Sequence, residues 1–251
     1  MENNTFDWSG FKWQTRQPWG LYHPNAEHTW FDNKAVSIDD NNKLVLKTHI
    51  NPRVFKKDDA NEIKRDIGIG LVSSINSFDH GYFEIEGKLP KNPGMWCAFW
   101  MYADGSWPPE IDIFEAYSND KSSYFDFMWK NKPIKRWSFS DLFRVWNIET
   151  RVHYLDEDDE RTATAPKRGW MGYKNPVNNY IKYGLLWTKK NLKFYYNEKL
   201  VRVINDEQIM SRINKHKMRV LINTGLKGEN KIENAKNEPK FRVKYFKYEK
   251  L

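Results

Sequence analysis

The segment Trp107-Pro-Pro-Glu-Ile-Asp-Ile-Phe-Glu115 alternates acidic and apolar residues, which is typical of a β-strand with one face in the core. On a regular strand Glu110 and Asp112 would share the outer face, but Glu115 would point into the core. A buried and unpaired carboxylate is very costly. We therefore predict a β-bulge at Ile113–Phe114, which inserts one extra residue and returns Glu115 to the face of Glu110.

Short β-strands are predicted along most of the chain. The segment Met95-Trp-Cys-Ala-Phe-Trp-Met-Tyr102 is apolar on both faces, as expected of a central strand that is covered on both sides. A hairpin turn is predicted at Asn197-Glu-Lys, and one helical turn at 206–213. Many short strands separated by turns predict an all-β sandwich. The other predicted strands lie at 43–49, 67–75, 82–86, 183–188, 192–197, 200–204, 217–223 and 240–248.

Length and charge narrow the range of functions. The 251 residues contain no internal repeat or long linker, which favours a single domain over residues 1–251. The net charge of +8 is spread along the chain without a nucleic-acid-binding motif, so no nucleic-acid partner is expected. No apolar run reaches about eighteen residues, so no membrane span is predicted. The single cysteine, Cys97, excludes an intrachain disulfide.

Aromatic residues make up 16% of the chain and include twelve tryptophans. Such a number exceeds what a core alone usually needs, so some of the rings are expected to line a cleft. Sugars have an apolar C–H face that can lie against a flat aromatic ring. The alternative is a tryptophan-rich core.

Three carboxylates on one strand face suit glycoside hydrolysis. Their mutual repulsion raises at least one pKa. A glycosidase needs one ionised carboxylate to attack the anomeric carbon and one protonated carboxyl group to protonate the leaving oxygen. The alternative is an exposed edge strand with scattered acids. The apolar residues at the intervening positions and the preceding Trp-Pro-Pro turn favour the catalytic interpretation.

Several motifs resemble glycoside hydrolase family 16 in their order and spacing. They include Gly81-Tyr-Phe-Glu-Ile-Glu-Gly-Lys-Leu-Pro90, Pro93-Gly-Met-Trp-Cys-Ala-Phe-Trp100 and the segment 107–115. The resemblance covers most of residues 35–130 and 180–250. It implies a concanavalin A-like β-jelly roll of two curved antiparallel sheets. It also implies a secreted, endo-acting, retaining hydrolase of a β-linked polysaccharide, with β-1,3- or β-1,3/1,4-glucan favoured.

The resemblance implies roles for individual residues. Glu110 corresponds to the nucleophile, Asp112 to its assistant and Glu115 to the acid/base. Of the candidate substrate-binding residues, the tryptophans could instead belong to the core, and the histidine could be structural. These candidates are Trp96, Trp100, Trp107, Trp129 and His153.

Some positions depart from the family pattern. Glu86 replaces a usual arginine, and Ile181 replaces a common histidine. Lys244 replaces an aspartate that often contributes to a structural calcium site, so we predict no calcium there. A monomer without metal or cofactor is expected. Two alternatives to a glucanase stay open: hydrolysis of a sulfated galactan, as in carrageenases, porphyranases or agarases, and a catalytically silent carbohydrate-binding domain.

Overall fold

The computed structural model describes residues 4–18, 20–23, 27–56, 61–92, 94–118, 146–168, 176–226 and 231–251. Two β-sheets face each other across a single hydrophobic core, to which both sheets contribute. The prediction of an all-β sandwich is therefore confirmed.

The first sheet, here called the front sheet, carries the acidic strand. Its strands are β1 (Thr5–Trp8), β2 (Phe11–Gln14), β7 (Leu71–Ser74), β9 (Met95–Ala103), β10 (Glu110–Ser118), β11 (Trp146–Leu155), β12 (Arg161–Ala163), β13 (Lys167–Arg168) and β17 (Met218–Leu226). They are arranged in the order β1-β2-β7-β17-β9-β10-β11-β12, and β13 pairs with β11.

The second sheet, here called the back sheet, closes the core from the other side. Its strands are β3 (Thr29–Phe31), β4 (Val36–Ile38), β5 (Leu44–Lys56), β6 (Glu62–Ile69), β8 (Gly81–Lys88), β14 (Ile181–Trp187), β15 (Leu192–Tyr196), β16 (Lys199–Ile204) and β18 (Lys240–Lys250). Their order is β16-β15-β14-β8-β18-β5-β6-β3, and β4 pairs with β5. The described strand pairs are antiparallel except β3 with β6, which is parallel.

Helical structure is limited in the described part of the chain. A 3-10 turn spans Asn33–Ala35, and the two short helices are α1 (Glu207–Ile213) and α2 (Lys231–Lys236). The helical turn predicted at 206–213 is thus confirmed as α1, whose N-terminus is capped by the side chain of Asp206. Neither helix is long and apolar enough to cross a membrane. The helix α2 was not predicted.

The predicted hairpin between β15 and β16 is confirmed. Asn197 and Glu198 have positive φ angles of 46° and 66°, the backbone conformation of a two-residue type I′ turn. Asparagine tolerates this conformation better than most residues, which explains its place at the first position.

One strand prediction is wrong in its extent. The predicted strand 67–75 is two strands in different sheets, because the chain leaves the back sheet after β6 and enters the front sheet as β7. The crossing point is Gly70. A Cβ atom there would lie 2.6 Å from the carbonyl oxygen of Ala35 and 2.9 Å from the Cα of Leu46, so only glycine fits between these backbones.

The central strands of the front sheet divide their side chains between the core and the outer face. On β9, Cys97, Phe99 and Met101 are fully buried in the core, while Trp96 and Trp100 point to the other face and are half-buried. The alternation follows directly from the period of two in a strand. The expectation that Cys97 is a small core residue is confirmed.

The predicted bulge in β10 is confirmed. The register of β10 shifts between Asp112 and Glu115 against β11, and between Asp112 and Phe114 against β9. As a result the side chains of two consecutive residues, Ile113 and Phe114, are both fully buried in the core. The ring centre of Phe114 lies 4.1 Å from that of Tyr183 in the back sheet, so the bulge is anchored by a contact between the two sheets.

Replacing the anchoring ring should destabilise the whole sandwich. We expect Phe114→Ala to lower the free energy of unfolding by about 3–5 kcal/mol, because it leaves a cavity between the sheets. Urea unfolding followed by tryptophan fluorescence measures the change. Phe114→Leu fills more of the space and should cost less. Equal midpoints for the alanine variant and the wild type would contradict the anchoring role.

The departures at 86 and 244 form one ion pair. The Nζ of Lys244 lies 2.7 Å from Oε1 of Glu86, and the Lys244 ammonium also lies 4.6 Å from the ring centre of Tyr180. A lysine in this position places a positive charge where a calcium ligand would stand. We therefore expect the melting temperature to be the same in calcium chloride as in magnesium chloride of equal ionic strength. A calcium-specific rise in melting temperature that disappears in Lys244→Ala would contradict this expectation.

Candidate active site

A cavity of about 360 Å³ opens on the outer face of the front sheet. Glu110, Asp112 and Glu115 of β10 all line it, together with Trp96 and Trp100 of β9. The bulge therefore brings the three carboxylates into one space, as the bulge predicted from the sequence requires.

Glu110 is held by two neighbours from outside its own strand. The indole Nε1 of Trp107 donates a hydrogen bond of 2.8 Å to Oε2 of Glu110. His153 is the register partner of Glu110 on β11, and its Nε2 lies 3.8 Å from Oε1 of the carboxylate. The rings of Trp107 and His153 are 5.9 Å apart between their centres. These contacts restrict the orientation of the carboxylate.

The pKa of Glu110 is raised well above its ordinary value. Burial is the main cause, and the charge of Asp112 adds to it. The charge of His153 and the hydrogen bond from Trp107 act in the opposite direction and lower the pKa. Glu110 is therefore a carboxyl group whose protonation depends on its neighbours.

Asp112 is the most enclosed of the three carboxylates, with 3% of its surface exposed. Its pKa is also raised well above the ordinary value, first by burial and then by the charge of Glu115. A hydrogen bond with Glu110 and the charge of Arg151, its register partner on β11, oppose this shift. Its Oδ2 lies 3.5 Å from Nε2 of His153 and has no hydrogen-bond partner among the described residues.

Glu115 completes the row on the far side of the bulge. It hydrogen-bonds with the side chain of Tyr117, and burial together with the charge of Glu115 raises the pKa of that tyrosine. Its register partner on β11 is Glu149, which approaches Arg151 at 3.9 Å. The surroundings of the two glutamates thus differ. Glu115 has the phenol of Tyr117 and the carboxylate of Glu149 as neighbours, whereas Glu110 has the indole of Trp107 and the imidazole of His153.

The predicted tryptophans differ in exposure. Trp107 is 43% exposed, and the guanidinium of Arg161 lies 5.2 Å from its ring centre. Trp100 is fixed by a hydrogen bond of 2.8 Å from its Nε1 to Oδ1 of Asn223 on β17. Trp96 packs over Gly225, where a Cβ atom would approach the indole to 3.3 Å. Trp129 lies outside the described residues.

Several residues that line the cavity or lie beside the carboxylates on β11 were missed by sequence reasoning. Glu149 and Arg151 lie on the same strand as His153 with a spacing of two residues, so the alternation of β11 could have indicated them. Asn223 lies on β17 and reaches the cavity because β17 pairs with β9, which no local pattern indicates. From the amino-terminal part of the chain, Gln17 and His28 also line the cavity, and no local signal predicts this.

Three of these groups could hold a metal ion. Glu110, Asp112 and His153 each offer one ligand atom, and these atoms lie within 4.8 Å of one another. Carboxylate oxygen and imidazole nitrogen are ligands that zinc accepts. The same atoms are the ones that a carboxylate mechanism of hydrolysis would use.

A two-sheet β-sandwich with clustered carboxylates in an aromatic-lined cavity defines the class of carbohydrate-active sandwich proteins. The family model "Glycosyl hydrolases family 16" matches residues 23–247, so the chain belongs to this family. The resemblance noted in the motifs is thereby confirmed.

Similar proteins include glucan-cleaving enzymes. The chain is 24% identical over 201 residues to "Endo-1,3-1,4-beta-glycanase ExsH" of Rhizobium meliloti, which covers 76% of this chain and 37% of that protein. It is 22% identical over 205 residues to "Endo-1,3-1,4-beta-glycanase EglC" of the same organism, covering 71% of this chain and again 37% of the relative. The chain thus spans little more than a third of the length of these relatives.

Solved structures share the fold over nearly the whole chain. A family 16 protein of Bacteroides ovatus from a mixed-linkage glucan locus, in complex with the product G4G4G3G, has a TM-score of 0.65 and 21% identity, with 98% of this chain and 97% of that chain covered. This likeness concerns the architecture, and it confirms the jelly-roll sandwich expected from the motifs.

The two raised pKa values predict that the carboxylates reduce stability at neutral pH. A carboxylate that is harder to ionise in the folded state than in the unfolded chain costs stability once the pH exceeds its unfolded pKa of about 4. We therefore expect Glu110→Gln and Asp112→Asn each to raise the free energy of unfolding at pH 7, since a neutral amide has no charge to desolvate at these positions. The gain should vanish below about pH 4.

Asp104 provides a control of opposite sign. Burial raises its pKa, but hydrogen bonds from Ser77 and Arg219 and the charge of Arg219 lower it to a net value below the ordinary one. Asp104→Asn should therefore destabilise the protein at pH 7, with the difference disappearing as the pH falls through the pKa of the folded state. Denaturant unfolding at pH 4 and pH 7 separates the two cases. A loss of stability in both cavity variants at pH 7 would contradict the prediction.

Proposed function

We propose that this chain is the catalytic domain of an endo-acting, retaining hydrolase of β-1,3/1,4-linked glucan. The observation that carries the proposal is the row of Glu110, Asp112 and Glu115 on one face of β10, inside a cavity that tryptophans line. Membership of family 16 and the names of the relatives support the substrate class. Oligosaccharide complexes of the structural neighbours support the binding of a glycan chain.

Glu110 is the proposed nucleophile. Its ionised carboxylate attacks the anomeric carbon and forms a glycosyl ester, while the bond to the leaving oxygen breaks. The indole of Trp107 and the imidazole of His153 hold the carboxylate and favour its charged form. Water then attacks the ester and releases Glu110, which gives overall retention at the anomeric centre.

Glu115 is the proposed acid/base, and Asp112 the group between the two. Glu115 gives its proton to the leaving oxygen in the first step and takes a proton from the attacking water in the second. Asp112 hydrogen-bonds with Glu110 and carries a raised pKa, so the pair titrates as a unit and can share a proton. When the proton resides on Asp112, Glu110 is free to attack.

The tryptophans supply the proposed binding surface. Trp96 and Trp100 lie on the outer face of β9 with Ala98 between them, Trp100 is the register partner of Asp112, and Trp107 stands beside Glu110. Sugar rings can stack on these indoles through their apolar faces. His153 lies beside the proposed nucleophile and its side chain is partly exposed, so its ring can also contact a bound sugar. Trp129 stays a prediction.

A catalytically silent binding domain is the main alternative, and hydrolysis separates the two. We expect the protein to release reducing ends from mixed-linkage β-glucan or laminarin. Glu110→Gln should nearly abolish turnover, because the amide cannot form the ester. Glu249→Gln, which changes an exposed glutamate of the back sheet, should turn over like the wild type. Glycan binding without any release of reducing ends would overturn the proposed activity.

The stereochemical course tests the assignment of the two glutamates. NMR should show the β-anomer as the first product, since double displacement retains configuration. Glu115→Ala should slow turnover by about 10²–10⁴-fold, and azide should partly restore the second step because it needs no general base. A first product of inverted configuration would rule out Glu110 as the nucleophile.

A further inference from the structure

A second cavity, of about 400 Å³, lies at the amino-terminal edge of the front sheet. Its lining is polar and cationic. We call it the arginine cavity and define it by Gln14, Thr15, Arg16, Trp30 and Arg53. None of the described residues that line it is acidic, whereas the catalytic cavity is lined by four acidic residues.

The arginine cavity lies on the same face of the front sheet as the carboxylates. One row of register partners crosses the sheet from β2 to β10. Its members are Gln14, Ser73, Leu221, Trp100 and Asp112. The amide Nε2 of Gln14 donates a hydrogen bond of 3.0 Å to Oγ of Ser73, so both side chains stand on that face.

The row also gives the distance from Gln14 in the arginine cavity to Asp112 in the catalytic cavity, which is several sugar residues long. Four strand spacings separate Gln14 from Asp112, which corresponds to about 19 Å at about 4.8 Å per strand. Phe31 lines both cavities, and Arg16 and Gln17 are neighbours in the chain that line one cavity each. A glycan that crosses the strands from the carboxylates can therefore reach the arginine cavity.

The arginines of this region are held in place without a carboxylate partner. The guanidinium of Arg53 lies 4.9 Å from the ring centre of Trp30 and 5.1 Å from that of Phe55. Stacking fixes its plane and leaves its edge for hydrogen bonds. Among the described residues, no carboxylate forms an ion pair with Arg16 or Arg53.

A third arginine increases the positive charge beside this cavity. Arg65 on β6 is the register partner of Arg53 on β5, and its guanidinium stacks over Tyr22 at 5.3 Å. Like charges directly opposite each other on paired strands are destabilising. The arrangement is therefore costly in the empty protein, and a bound anion would relieve the repulsion.

An unsatisfied hydroxyl group points to a ligand independently of the charges. Thr15 is 7% exposed, and its buried Oγ1 has no hydrogen-bond partner among the described residues. A buried hydroxyl without a partner costs free energy, and an oxygen-rich ligand in the cavity would supply one. Trp30 adds an aromatic wall to the same space.

We propose that the arginine cavity is a distal subsite that binds an anionic substituent of the polysaccharide, either a sulfate ester or a carboxylate. This proposal rests on the proposed function, because it takes the ligand to be part of the same glycan that the carboxylates cleave, and it adds that the β-glucan backbone carries anionic substituents. The planar guanidinium donors of Arg53 match the paired oxygens of either anion. Arg16, which is exposed like Arg53, contributes a second positive charge.

Matched substrates test the subsite. Mixed-linkage β-glucan is compared with the same glucan after partial sulfation and after partial oxidation of C6 to carboxylate. We expect the wild type to have a higher kcat/KM on at least one anionic form than on the neutral parent. Arg53→Gln and Arg16→Gln should each reduce this anionic-to-neutral ratio about tenfold, through KM, as expected for a charged hydrogen bond.

Arg242→Gln is the matched control. It makes the same change of charge on β18 of the back sheet, outside both cavities. This variant should keep the wild-type ratio, and added salt should lower the ratio of the wild type more than that of the Arg53 variant, in which only Arg16 remains. Since Arg16 is exposed, its variant tests the subsite even if Arg53→Gln fails to fold.

Binding separates failure of the subsite from failure of the proposed function. Calorimetry on Glu110→Gln measures the affinity for neutral, sulfated and carboxylated glucan oligosaccharides without hydrolysis. Tighter binding of the sulfated or the carboxylated form, lost with Arg53→Gln, supports the subsite and identifies its anion, even if no substrate is cleaved. Equal binding of all three forms, or an anionic preference that survives both arginine variants, overturns it.

Discussion

Two consecutive residues of β10, Ile113 and Phe114, both point into the core, and this local break in alternation sets the geometry of the whole catalytic face. A regular strand would bury Glu115 beneath the sheet. The bulge costs part of the hydrogen-bond ladder, and the burial of the Phe114 ring against Tyr183 of the back sheet offsets that cost. The contact between the sheets therefore decides where the carboxylates stand.

The face so formed is electrostatically unfavourable. Glu110 and Asp112 are buried beside each other, and both have raised pKa values. Arg151, His153 and the Trp107 indole each reduce this cost without removing it, since the pKa values of both carboxylates stay raised. Such residual repulsion is a usual feature of sites that must protonate and deprotonate during a reaction. The hydrophobic core between the two sheets offsets the unfavourable contribution of these carboxylates to the free energy of folding.

The central strands could be predicted because their signal is local. The alternation in 107–115 gave the shared face and the need for a bulge, and the burial pattern of β9 followed from the same period of two. Other features depend on contacts between distant segments. The break at Gly70 is set by the backbones of Ala35 and Leu46, which no window around Gly70 contains. The short strands β1 and β2 have weak periodicity, and the pairing of β2 with β7 joins distant segments of the chain.

The same contrast between local and long-range signals separates the carboxylate row from the arginine cavity. The proposed reacting groups lie on a single strand, β10, between β9 and β11, so a few local motifs are enough to indicate the reaction. The arginine cavity is assembled from β2, β3 and β5, which are separated by loops and belong to both sheets. Residues that recognise distal parts of a polymer need only the right charge and position, and many segments can provide these. Reaction type is thus readable from sequence patterns, whereas the choice among glycans depends on juxtapositions that only the folded chain creates.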